Sequence, residues 1–299
     1  MVRLLSLALM SSSIAFGVMG QIKKQFSVEN STHCDKIDLH IKAKTGNCFI
    51  RPSQNSDILN IYSNQELEEY GHSFSQELKG ATCQVKLSLD QEGERGVGRK
   101  ISYQVFGDNE AAVLDKVWKV YLTEEKPYAL DLDYGLGNAN IDLSGLSISN
   151  LRIKTGSADV NVSYASGIEN KVEMDTFFVK VDLGSVSVKQ LNLSRSHVVL
   201  ADVGFGNMML DFSDTPLVDN LVKGSVGAGN LVIMLPDRET PVLVKITDSW
   251  LCSLSLCKGL KRIGENTFAN AAYSHNTKNS ITFDLEVSMG KIIFKEKTN

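Results

Sequence analysis

Ala201-Asp-Val-Gly-Phe-Gly-Asn-Met-Met-Leu-Asp-Phe212 carries the deciding pattern of this chain: Gly206 is followed by apolar residues two, four and six positions later. The pattern recurs at Gly137 (Ala139, Ile141, Leu143), Gly156 (Ala158, Val160, Val162) and Gly184 (Val186, Val188). It returns at Gly229 (Leu231, Ile233, Leu235), at Gly290 (Ile292, Phe294) and, early in the chain, at Gly46 (Cys48, Ile50). Alternation of this kind marks a strand with one buried face. A glycine fixed ahead of it marks a repeated backbone bend.

The residues upstream obey a second rule. Three and five positions before the glycines stand Tyr134 and Leu132, Ile153 and Leu151, Val181 and Val179, Val203 and Ala201, and Val287 and Leu285. From three before to two after is an odd step, so the inward parity flips at each glycine. A straight strand cannot do that, whereas a corner with an extra residue can. Each unit is therefore predicted to be strand, glycine corner, strand, with both arms facing one core. The glycines between 137 and 229 lie 19 to 28 residues apart, the period of an array whose neighbours share a core. The interval from Gly229 to Gly290 reads as three units with degraded middle members. The predicted fold class is all-β: a β-solenoid-like stacked array with glycine corners, preceded by a less regular β region. An up-and-down sandwich with chance glycines is the competing architecture.

Three segments follow from this reading. Residues 1–20 read as a signal peptide: a basic start at Arg3, an apolar stretch, and Val18 and Gly20 before a cut ahead of Gln21. Residues 21–127 form the irregular β region, with strands expected at 36–42, 58–62, 83–89, 101–106 and 118–122, and short helix candidates at 65–70 and 109–114. Residues 128–299 form the repetitive domain. Nothing after the leader is long and apolar enough for a membrane span. The whole chain has 299 residues and a formal charge of −4, so no basic footprint for nucleic acid is present.

Five cysteines follow the leader: Cys34, Cys48, Cys83, Cys252 and Cys257. Export permits disulfides, and the odd number leaves at least one unpaired in a monomer. Cys48 occupies an apolar slot of the repeat and reads as a small core residue. Cys252 and Cys257 lie on opposite parities of one segment, which argues against a bridge between them. No cysteine–histidine spacing suits zinc.

The stretches Leu130-Asp-Leu-Asp-Tyr-Gly-Leu-Gly137, Ile141-Asp-Leu-Ser-Gly-Leu146 and Leu151-Arg-Ile-Lys-Thr-Gly-Ser-Ala-Asp-Val-Asn-Val162 resemble the bacterial toast-rack repeat. Val226-Gly-Ala-Gly-Asn-Leu-Val-Ile-Met-Leu-Pro236 is similar to the C-terminal domain of cell-wall-active antibiotic response proteins. Lys44-Thr-Gly-Asn-Cys-Phe-Ile50 resembles the head of the group labelled "putative adhesins". The resemblance covers about two-thirds of the chain. It implies a β-solenoid-like array, an extracytoplasmic location and no known catalytic residues. It departs from the response-regulating members, whose transmembrane helices have no counterpart here, so their signalling role does not carry over.

A search for chemistry yields no constellation. Lyases and glycosidases on β-helices need paired carboxylates or an acidic calcium cluster. The outward acids Asp133, Asp142, Asp159, Asp182, Asp202 and Asp211 do not form an adjacent run, and five places after each glycine stand Asp142, Asn161, Lys189, Asp211 and Met234. Ser196 and His197 are neighbours on one strand and point to opposite faces. Gly204-Phe-Gly206 and Gly227-Ala-Gly229 mimic nucleotide loops without a following helix. The basic Gly93–Lys100 loop reads as a hairpin tip. No catalytic, cofactor or metal residue is assigned.

One departure from the pattern points to a surface. Outward slots that are polar in early units become Met209, Val232 and Met234 in later ones, and such a strip needs a cover. Residues 250–280 or a partner are the candidates: an envelope protein, a polysaccharide or a second copy. The function expected is a non-catalytic exported envelope protein, periplasmic or on the cell surface, acting as a structural or adhesion-type binding module. The alternatives are a carbohydrate-active enzyme on a β-helix and an envelope-stress accessory protein.

Overall fold

Two ladders of parallel strands meet along a row of glycine corners. The computed structural model describes residues 22–65, 71–89, 116–274 and 278–297. The expected leader, the 101–106 strand, the Gly93–Lys100 loop and nearly all of both helix candidates fall outside these residues. Twenty-one strands make one hydrogen-bonded sheet, and the described residues contain no α-helix, only a 3-10 turn at Leu191–Ser194. The chain is all-β, as the alternation predicts.

The first arms stack in register as Pro127–Asp142, Ser147–Thr155, Met174–Val181, Ser196–Val203 and Asn220–Val226. After the corner, the second arms stack in the same order: Pro127–Asp142 again, Asp159–Ser163, Ser185–Val188, Asn207–Asp211 and Asn230–Leu235. Inward residues of both arms enter a single apolar cluster. Ala139, Ile141, Ala158, Val160, Val186, Val188, Met208, Leu210, Leu231, Ile233, Ile292 and Phe294 all belong to it. So do Leu132, Tyr134, Val179, Val181, Ala201, Val203, Leu285 and Val287 from before the corners, which is the parity flip predicted from the spacing.

The reason for glycine at the corner is mainly steric. A Cβ on Gly229 would lie 2.2 Å from the carbonyl oxygen of Gly206, and one on Gly206 would lie 2.4 Å from that of Gly184. Each corner rests on the backbone of the corner beneath. Positive φ adds to this only at Gly46 (116°) and Gly137 (113°). The register also corrects one unit. Tyr134 pairs with Thr155 and Asn138 with Asp159, which places Gly156 on Gly135 and makes Ala158 the counterpart of Gly137. There, buried Thr155 replaces the usual apolar residue, and its hydroxyl donates to the Ala158 carbonyl at 3.0 Å.

Chain order and stack order part at both ends. Ile281–Val287 and Lys291–Glu296 insert between the Asn220–Leu235 unit and the unit of Val242–Asp248 and Ser253–Ser255. Gly290 therefore stacks directly on Gly229, not three units away as their sequence interval suggests. At the other end, Lys36–Ser53 lies between Pro127–Asp142 and the outer strands Thr82–Leu89 and Val117–Thr123. Antiparallel strands then close the exposed edges. His72–Lys79 covers Thr82–Leu89, while Leu59–Ser63 and Lys23–Val28 cover Val117–Thr123. Thr267–Ala269 and Lys261–Gly264 cover Val242–Asp248. The outermost strands carry Lys23, Lys24, Lys79, Lys261 and Arg262, charges that discourage further strand addition.

Cys34 and Cys83 form a disulfide that ties Lys36–Ser53 to Thr82–Leu89 at this end. Cys48, Cys252 and Cys257 are free, and Cys48 is buried in the core as its slot predicts. Burial pushes its thiol up to about 11 from an ordinary 9.0, against the lowering effect of the Tyr134 hydroxyl, which donates to Sγ at 3.2 Å.

Two outcomes follow. Gly229→Ala forces a methyl into a backbone carbonyl and should destabilise the fold by about 2–4 kcal/mol, comparable with Ile233→Asp, which buries an unpaired charge. Ala228→Ser, one residue away on the exposed tip, should leave the melting temperature nearly unchanged. The second concerns alkaline pH. The native Cys48 keeps its proton between about pH 9 and 11 while the unfolded thiol releases it, so unfolding is increasingly favoured as pH rises through this window. Denaturant titrations across that window should show this loss of stability, with a shallower slope in Cys48→Ala.

Candidate interaction surface

The glycines that flank each corner leave the residue between them no inward path. Gly135-Leu-Gly137, Gly204-Phe-Gly206 and Gly227-Ala-Gly229 show the arrangement directly, and Leu183 and Met289 occupy the same place ahead of Gly184 and Gly290. The amides at these tips donate to the unit beneath: Ser157 to Gly135, Leu183 to Gly156, Phe205 to Asp182, Ala228 to Gly204 and Met289 to Gly227. The tips therefore form a file in the order Leu136, Ser157, Leu183, Phe205, Ala228, Met289. Trp250 and Leu251 crown the last corner, where Asp248 pairs with Val287 and Ser253 with Lys291. At a strand spacing of about 4.8 Å, the file is roughly 29 Å long.

Its large members, interrupted by Ser157 and Ala228, are among the most exposed apolar residues described. Relative exposure is 48% for Leu136, 64% for Leu183, 72% for Phe205, 60% for Met289 and 90% for Trp250. Scattered exposed apolar residues are ordinary, but several of them along one edge make it a candidate contact surface. The sequence signal was the residue one place before each glycine, whereas the parity argument used the residues three and five places before.

The strip inferred from the sequence lies two outward rows behind this file. Met209 and Val232 pair side by side as expected, and the row continues into Ile293. All three are half-buried. Met234 stands two residues along the same face, between Asp211 and Lys295. The 250–280 segment places its hairpin, Lys261–Gly264 with Thr267–Ala269, against the edge of Val242–Asp248 at the end of the stack. Between file and strip runs a polar ladder. Asn138 Nδ2 donates to Asn47 Oδ1 at 3.1 Å, Ser185 Oγ to Asp159 Oδ1 at 2.5 Å, and Asn230 Nδ2 to Asn207 Oδ1 at 2.8 Å.

The outward acids serve the scaffold. Asp142 Oδ1 accepts from the Ser144 amide, the Ser144 hydroxyl and the Ala165 amide, and so joins two return turns. The corrected register sets Asp142 beside Ser163, with Asn161 in the row of Asn140. On the first arm, Lys180 Nζ lies 3.3 Å from Asp202, and Asp131 faces both His40 and Arg152. Ser196 is buried against Ser194, whereas His197 is exposed and contacts Glu173 at 2.9 Å, so the two point apart as expected. Among the described residues no three metal-ligating side chains converge. A shallow hollow of about 190 Å³ is lined by Phe49, Arg51, Lys119 and Tyr121.

Comparison with known proteins gives a family. The sequence profile described as "N-terminal domain of toast_rack, DUF2154" matches residues 18–189. No curated protein matches the chain. Among solved structures, a putative cell adhesion protein from Clostridium sporogenes aligns over 93% of this chain and 100% of its own, at 17% identity and a TM-score of 0.46. A putative adhesin from Bacteroides fragilis aligns over 92% and 97% at 13% identity and a TM-score of 0.34. A putative lipid binding protein from Parabacteroides distasonis aligns over 93% and 96% at 10% identity and a TM-score of 0.34.

The file can be separated from the core by mutation. Phe205→Ser should change stability by less than about 0.5 kcal/mol, because its ring is already in water. Val203→Ser, two residues earlier and buried, should cost about 1–3 kcal/mol. Thermal melts of the two variants check the assignment.

Proposed function

The chain belongs to the toast_rack N-terminal-domain family, and from that premise we propose that it is an exported, non-catalytic binding module of the bacterial envelope. The observation that carries this reading is the file of exposed apolar corner tips, which makes one long edge of the stack a contact surface. A solenoid-like scaffold suits such a role, since stacked units repeat a chosen side chain at fixed spacing along one line. The half-buried Met209, Val232 and Met234 face lies beyond the polar ladder and is proposed as a second, apolar part of the contact surface. Covering the large tips contributes several kcal/mol, at about 1.5–3 kcal/mol for each fully buried side chain.

Export is supported by the amino-terminal sequence and by the Cys34–Cys83 disulfide, a bond that persists in oxidising compartments. The expected mature terminus is Gln21, with the protein recovered from the periplasm or cell surface. Mass analysis showing intact residues 1–20 on the exported protein overturns this part. For binding, the purified protein should associate with isolated envelope material without releasing soluble sugar fragments. Leu183→Asp combined with Phe205→Asp should abolish the association. Retained binding in that variant, or turnover of envelope polysaccharide, counts against the module as proposed.

A further inference from the structure

The apolar edge has a shape that narrows its partner. The tips stand in single file and project outward, with glycines on both sides of Leu136, Phe205 and Ala228. Behind them the corner backbone is closely packed, since even a methyl on Gly206 or Gly229 would strike a carbonyl. Contact must therefore be made by the tips entering the partner. A rigid protein partner needs a matching apolar furrow. A second copy of this chain offers a hollow of about 190 Å³ at Phe49, Arg51, Lys119 and Tyr121, small, half-cationic and several strands away from Leu183, Phe205 and Met289. A lipid surface needs no preformed furrow, because its acyl chains close around each inserted side chain.

The chemistry beside the tips fits the same partner. On one flank runs the ladder Asn138, Asp159, Ser185, Asn207, Asn230 and Lys291, three amides and a hydroxyl with one acid and one lysine that balance in charge. On the other, Asp133, Lys154, Lys180, Asp202, Ser225 and Glu286 occupy successive units, three acids against two lysines. Both flanks are polar enough for a head-group layer, and neither is a basic patch of the kind that selects anionic lipid. Trp250 is nearly fully exposed at one end, and Phe205 stands in the middle. Aromatic side chains of this kind favour the boundary between head groups and acyl chains.

We propose that the Leu183–Phe205–Met289–Trp250 edge docks the protein onto a lipid bilayer by shallow insertion of its tips, driven by apolar contact and without a requirement for anionic lipid. This rests on the reading that the edge is the contact surface of the module. It differs from a membrane span: no helix of the described residues is long and apolar enough to cross a bilayer.

The test uses the mature protein with phosphatidylcholine vesicles. The chain has two tryptophans, and Trp118 is fully buried, so any vesicle-induced change in emission reports Trp250. The protein should co-sediment with the vesicles, its emission should shift to shorter wavelength, and both effects should persist in high salt. Phe205→Asp with Met289→Asp should reduce vesicle binding at least tenfold while leaving the melting temperature unchanged. Binding that appears only with anionic vesicles and vanishes in high salt overturns the proposal. If phosphatidylcholine vesicles do not bind but the double substitution abolishes self-association or envelope binding, the lipid assignment falls and the contact edge stands. If the substitutions alter no association of any kind, the contact edge falls as well.

Discussion

The approach of one corner backbone to the next is the constraint on which the rest of the structure depends. Each corner amide donates to the unit beneath, and the carbonyl below occupies the space where a Cβ would sit. Glycine is required there by contact more than by backbone angle, since positive φ is confined to Gly46 and Gly137 among the corner glycines. Close stacking at the corner keeps both arms in register, and the register keeps inward residues of every unit in one apolar cluster. Ala158 shows the tolerance of the rule. The Met174–Val188 unit still stacks on it, with the Ser185 amide donating to the Ala158 carbonyl at 3.2 Å.

Much of this was legible because strand periodicity is local. The parity flip at glycine 184, 206 and 290 needed only residue spacing, and the residues it selected are buried. What escaped was anything decided by pairing partners. Gly156 obeys the same local pattern as Gly137, yet it stacks on Gly135, because a Gly-x-Gly corner offers two glycines and only strand pairing selects between them. The insertion of Ile281–Glu296 between units that are nearer in sequence is invisible for the same reason. Neither segment differs in composition from a unit that stacks in chain order.

The ends of the stack explain why chain order is abandoned there. A parallel array leaves an unpaired strand at each end, which invites association with other chains. Here the chain passes one position beyond the last regular unit, lays down Val242–Asp248 and its antiparallel hairpin, and returns to fill the gap. The amino-terminal end uses the same device: Lys36–Ser53 is enclosed by strands that follow it in sequence, and antiparallel strands close the outside. The Cys34–Cys83 bond fixes that enclosure covalently. The outermost unit, Val242–Asp248 with Ser253–Ser255, carries no corner glycine, because no further corner rests on its outer side.

The same corner geometry separates what folding dictates from what it leaves free. Inward positions must be apolar, corner positions must be small, and the ladder positions after the corner favour amides and hydroxyls that bond to one another. The tip position is bound by none of these demands. Its amide is satisfied by the unit beneath, and its side chain points away from both arms, as Ser157 and Ala228 show by filling the place with small or polar groups. Leucine at 183, phenylalanine at 205 and methionine at 289 are therefore not explained by the stability of the fold. Exposed apolar residues carry a cost in solubility that polar residues at the same tips would avoid. A side chain that folding does not require, repeated along one edge despite that cost, is best accounted for by what the edge meets.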